Sequence, residues 1–65
     1  MSKEPTEIFC NVVEERDISI CIDDGTKDVW LPKSQVIEYD PDVFDEGDDI
    51  TITIPEWLAI EKGLV

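Results

Sequence analysis

The sequence contains no histidine, which removes Ser-His-Asp and Cys-His triads, imidazole acid–base pairs and most zinc sites. Glycine is nearly as scarce. The three glycines, Gly25, Gly47 and Gly63, stand far apart, so the chain has neither a Walker A loop nor a dinucleotide fingerprint. No apolar run approaches the ~18 residues a membrane-spanning helix needs, and Met1 to Glu7 lack the apolar stretch of a secretory leader. A cytoplasmic protein is the expectation. Two cysteines, Cys10 and Cys21, do not make a secreted disulfide framework. Carboxylates abound, yet nothing in their spacing singles out two as a glycosidase pair. Basic residues are few: 5 Lys and Arg against 17 Asp and Glu, a formal net charge of −12. Such a field repels nucleic acid and anionic lipid and attracts basic protein surfaces. These absences point away from an enzyme, a cofactor, a metal site, nucleic-acid binding and membrane association.

What is present is enough to fold. The chain of 65 residues allows one thin core, and 42% of it is apolar, with Ile at many alternate positions. High charge signals disorder only together with low hydrophobicity, which is not the case here. Acidic, lysine-poor surfaces also arise for solvation alone, as in halophiles, although the abundant Ile and Trp fit that reading less well.

Hydrophobic periodicity organises the chain as one domain, 1–65, with a polar tail at 1–6. Ile8 to Val13 reads as a strand, and Glu14-Glu15-Arg16-Asp17 as a turn. Ile18-Ser19-Ile20-Cys21-Ile22 alternates with period two. Asp24-Gly25 is a type I′ hairpin dipeptide, and Val29-Trp30-Leu31 follows, ended by Pro32. A two-residue turn pairs Ile20 with Val29 and Ile18 with Leu31. An even-length first loop puts Phe9, Val13, Ile18, Ile20, Ile22, Val29 and Leu31 on one face, with Cys10 opposite Cys21 on the other. Val36 to Tyr39 is a further short strand, 40–49 a loop, and Ile50-Thr51-Ile52-Thr53-Ile54 the last strand. Thr53-Ile54-Pro55-Glu56 reads as a capping box opening a helix over 55–62, stopped by Gly63 with Leu64 folding back. Trp57, Leu58 and Ile60 would dock that helix. The expected fold is α+β: a four- to five-stranded antiparallel β-sheet, beginning as a meander, with one C-terminal α-helix packed on it.

The acidic run is the candidate site. Glu38, Asp40, Asp42, Asp45, Glu46, Asp48 and Asp49 follow one another with no Lys or Arg between Lys33 and Lys62. An EF-hand reading with Gly47 at the sixth loop position puts Phe44 at the third and Thr53 at the twelfth, so ligands are missing. A solvated loop explains some of the charge, but a field this dense brings no local benefit. Carboxylates two residues apart on an extended chain lie about 6.6 Å apart, a spacing of the same order as that of phosphates along a nucleic-acid strand. Tyr39, Val43 and Phe44 interleave apolar groups with the acids, as an anchor with a charged rim would require. The expected partner-binding residues are therefore Glu38, Tyr39, Asp40, Asp42, Phe44, Asp45, Glu46, Asp48 and Asp49.

Two stretches carry a resemblance: Val29-Trp30-Leu31-Pro32-Lys33-Ser34-Gln35-Val36, and Ile54 to Leu64. Together they resemble small proteins encoded by bacteriophages and prophages. The chain is also similar in size, charge and lack of catalytic motifs to anti-CRISPR proteins that resemble DNA electrostatically. The resemblance implies an anti-defence inhibitor that occupies a basic DNA- or RNA-binding surface of a host protein, acting as a monomer or small homo-oligomer. Two alternatives stay open, an accessory protein of phage replication or recombination and a structural acidic domain without a mimic role.

Overall fold

The computed structural model describes residues 4–65 of the chain. Alternating β-branched residues build five strands: β1 (Pro5–Glu15), β2 (Ser19–Asp23), β3 (Asp28–Pro32), β4 (Glu38–Asp40) and β5 (Asp49–Pro55). A single 3-10 turn, Lys33–Gln35, joins β3 to β4, and one helix, α1 (Glu56–Glu61), follows β5. The strands form one antiparallel sheet in the order β3-β2-β1-β5-β4. The α+β architecture is thus the one expected, with β1 at the centre rather than at an edge.

The central place of β1 decides which of its faces is buried. Its pairing with β5 sets Ile8 opposite Ile52 and Cys10 opposite Ile50. Ile50, Ile52 and Ile54 are fully buried, so Ile8, Cys10 and Val12 must share their face. Pairing with β2 alone allows the opposite choice, the one expected from the local pattern. Phe9 and Val13 are instead exposed, and so is Ile18, which precedes β2 in the turn. A β-bulge between Val12 and Glu14 reconciles the two sides: Val12 still meets Ile22, while Glu14 meets Cys21 and Glu15 meets Ile20. The bulge is held from outside the strand. Val12 N–H donates to the Asp48 carbonyl at 2.9 Å, and Gly47 N–H donates to the Val12 carbonyl at 2.7 Å.

The second hairpin also departs from expectation. Ile20 pairs with Leu31 and Ile22 with Val29, so the connection is the four-residue segment 24–27. A type I′ turn needs positive φ at both central positions; only Gly25 has it, at 102°. Asp24 organises the longer loop, its Oδ1 accepting from Thr26 N–H, Thr26 Oγ1 and Lys27 N–H. The shift is by two residues, so the faces of Ile20, Ile22, Val29 and Leu31 are unchanged.

The core lies between one sheet face and α1. Ile20, Ile22, Leu31, Ile52, Ile54 and Ala59 have no exposed surface, and each such isoleucine contributes about 1.5–3 kcal/mol relative to exposure. Leu58 and Ala59 dock the helix, Trp57 is half-buried against the same cluster, and Ile60 points outward. The capping box does not form: Thr53 lies inside β5, opposite Glu7 and Glu38, and Pro55 occupies the N-cap. The chain start supplies the missing acceptor, since Glu56 N–H donates to the Glu4 carbonyl at 2.8 Å. Pro5 and Thr6, expected in a tail, pair with Pro55 and Ile54; residues 1–3 of that tail lie outside the described residues. The C-terminal stop is as expected. Gly63 has φ 71° and Leu64 N–H returns to the Ala59 carbonyl at 2.8 Å. Lys27 Nζ donates to the Gly63 carbonyl, adding a cation at the negative end of the helix.

Candidate functional site

Covering one face of the sheet leaves the other open, and the strand register dictates what that open face carries. Directly paired residues of an antiparallel sheet share a face. One row across the sheet is Asp28, Asp23, Asn11 and Asp49; a second is Trp30, Cys21 and Glu14. A third is Phe9, Thr51 and Asp40, and a fourth Glu7, Thr53 and Glu38. The open face is therefore acidic over all five strands, with carboxylates from Glu7, Glu14, Asp23, Asp28, Glu38, Asp40 and Asp49.

Of the acids expected to bind a partner, Glu38, Asp40 and Asp49 lie on this face. Asp42, Asp45, Glu46 and Asp48 lie in the 41–48 connection, which ends beside the bulge of β1. Several of these carboxylates also hold the backbone in place. Asp48 Oδ2 accepts from Asp45 N–H at 2.9 Å, Glu46 Oε2 from Glu15 N–H at 3.0 Å, and Asp49 Oδ1 from Asn11 Nδ2 at 3.0 Å. Asn11 Nδ2 reaches the Gly47 carbonyl as well. Tyr39 and Phe44 turn toward the core: their ring centroids lie 5.4 Å apart, and both pack against the buried cluster. The exposed apolar side chains near them are Ile37 and Val43.

Sequence reasoning passed over Glu7, Glu14, Asp23 and Asp28 because they are scattered along the chain. Alternation reveals Glu7, Asp23 and Asp28, each next to a core-facing Ile or Val on its strand, whereas Glu14 reaches the open face through the bulge of β1. Only the register of all five strands shows that the four converge.

Cations do little to offset this field. Lys33 pairs with Glu15 at 2.8 Å, beside the exit of β1, and Arg16 pairs with Glu14. The Arg16 guanidinium lies over the Trp30 ring, 4.7 Å from its centroid. Cys21, with Glu14 and Trp30 as its cross-strand neighbours, is buried on the acidic side. Burial, followed by the nearby Asp28 and Glu14 charges, raises its thiol above the ordinary value. Cys10 lies on the core side, its thiol pushed up to about 11 by burial with a contribution from Asp49. The expected Cys10–Cys21 cross-strand contact is absent because the bulge puts the two residues on opposite faces. Neither thiol has the depressed pKa of a reactive cysteine.

Among the described residues, no group of three or more His, Cys, Asp and Glu is placed to hold a metal ion, and no helix is long and apolar enough to cross a membrane. No known protein family, curated protein or solved structure matches the chain.

Proposed function

We propose that the protein is an acidic, protein-binding inhibitor whose open sheet face occupies a basic, nucleic-acid-binding surface of a host protein, as a DNA mimic of the phage anti-defence type does. The observation that carries this reading is the convergence of carboxylates from every strand on the one sheet face that the fold leaves uncovered. Within a strand, successive acids such as Glu38 and Asp40 are about 6.6 Å apart, and neighbouring strands add rows about 4.8 Å away. The result is a two-dimensional array of fixed negative charge. Arg and Lys groups built to neutralise phosphates meet equivalent partners there and gain the attraction they gain from DNA. The Asp42, Asp45, Glu46 and Asp48 carboxylates extend the same field past the end of β4.

The test is affinity capture from a host lysate followed by binding measurements on the recovered protein. The reading expects a DNA- or RNA-binding protein, captured in a salt-sensitive way and released by double-stranded DNA, with no gel shift of DNA by the chain alone. Binding that DNA does not compete away, or capture of a protein with no basic groove, contradicts it. Recovery of a recombinase or polymerase that stays active in the complex points to a replication accessory instead.

A further inference from the structure

The open face is not uniformly polar. Phe9 is 69% exposed and Trp30 41% exposed on it, and the strand register places both among the acids. A free aromatic on a sheet face loses nothing by being polar unless something covers it. Phe9 and Trp30 are the exposed aromatics among the described residues; the exposed aliphatic side chains Ile18, Ile37, Val43 and Val65 lie outside the strands, Ile60 on α1 and Val13 in the bulge of β1. Two strand spacings of about 4.8 Å and four residue rises of about 3.4 Å separate Phe9 from Trp30, roughly 17 Å on the diagonal. Between and beside them stand Asp23, Asp28, Asp49 and Glu14.

We infer that Phe9 and Trp30 are apolar anchors of the open sheet face, and that the face takes a Lys- and Arg-rich amphipathic helix of the partner protein. This rests on the acidic-face reading above and names what that face receives. The charge frame excludes the other occupants. A second copy related by a two-fold axis would set each acid row against itself, and a nucleic acid would meet the same repulsion. A basic helix is complementary to the frame, and about three of its turns, at 5.4 Å each, span the two aromatics. Its apolar stripe meets Phe9 and Trp30 while its cations reach the flanking carboxylates. Arg16 already uses this chemistry within the chain, its guanidinium stacked on Trp30 and paired with Glu14. Anchors of this kind contribute affinity that salt does not screen, so the contact differs in kind from a purely electrostatic one.

The experiment uses two synthetic helical peptides of about 18 residues and equal positive charge. One carries a leucine stripe and the other alanine in its place, and each is titrated into the whole protein by NMR and calorimetry. The inference expects the leucine peptide to bind about tenfold more tightly or better. It expects shifts centred on Phe9, Cys21 and the Trp30 indole, and Phe9→Ser and Trp30→Ser each to remove most of the difference. Both side chains are exposed, and Ile60→Ser, 59% exposed on α1 and away from the open face, serves as the control that leaves binding unchanged. Equal affinity for the two peptides, or Phe9→Ser and Trp30→Ser variants that bind the leucine peptide as wild type does, overturns the anchors while leaving the acidic-face reading standing. Failure of both peptides to bind overturns the two together. A concentration-dependent dimer in sedimentation that Phe9→Ser abolishes overturns the basic occupant in favour of a second copy.

Discussion

Replacing Ile52 with valine, and Phe9 with alanine, separates the observed strand parity from its mirror. Ile52 sits in β5 with no exposed surface, opposite Ile8 on one side and Tyr39 on the other. Removing one buried methylene there costs about 0.5–1.5 kcal/mol. A domain of 65 residues has roughly 3–10 kcal/mol in all, so the loss is a measurable share. At about 4–8 °C per kcal/mol for domains of this size, the melting temperature should fall by roughly 2–12 °C. Phe9 is a larger residue, and truncating a core phenylalanine costs about 3–5 kcal/mol. On the open face it has little to lose, and Phe9→Ala should change stability by less than about 0.5 kcal/mol. Urea unfolding followed by circular dichroism measures both, and equal m-values establish that the denatured states are comparable. A Phe9→Ala variant less stable than Ile52→Val would refute the register of β1.

Three further expectations follow from the same geometry. Asp28 lies directly opposite Asp23 in the β2–β3 pair, so Asp28→Asn should raise the melting temperature by a few degrees at low salt and by less at high salt; no change at low salt would remove cross-strand repulsion from the account. Cys10 and Cys21 should resist alkylation at about pH 8 until urea is added, and oxidant should form no disulfide within the native chain; mass spectrometry of the native oxidised protein detecting one would contradict their placement on opposite faces. The raised Cys10 thiol also fixes a pH window: its folded pKa of about 11 lies above the ordinary 9.0, so the unfolded chain ionises first. The stability tied to the neutral thiol is complete below about pH 9 and lost as the pH rises toward 11. Cys10→Ala should therefore flatten the alkaline fall in melting temperature, and a slope identical to wild type would show that another group controls it.

The strands were legible because Ile and Val alternate cleanly in 18–22, 29–31 and 50–54, and the helix stop because Gly63 supplies a left-handed residue where one is needed. The face of β1 was not. Ile8, Cys10 and Val12 compete with Phe9 and Val13 for the core, and local pattern offers both sets. The choice is made by β5, more than thirty residues along the chain, and by a bulge held by Gly47 and Asp48. Sequence periodicity carries no trace of either. The Asp24-Gly25 turn misled for a related reason: the dipeptide favours a tight hairpin, but Asp24 bonds to Thr26 and Lys27 and stabilises a wider one. The acidic site was half legible. A run of acids in 38–49 is visible in one dimension, whereas Glu7, Glu14, Asp23 and Asp28 join Glu38, Asp40 and Asp49 only when the sheet is assembled.

The most direct measurement compares two triple variants of equal net charge for affinity to the captured basic partner. One, Glu7→Gln with Asp28→Asn and Asp40→Asn, thins the open face; the other, Asp17→Asn with Glu56→Gln and Glu61→Gln, removes as much charge elsewhere. If the open sheet face is the binding surface, the first variant loses about tenfold or more in affinity and most of the salt dependence, while the second stays within about twofold of wild type. Equal losses in both variants would mean that total charge alone attracts the partner, and the claim that this fold presents a defined acidic face for binding would be wrong.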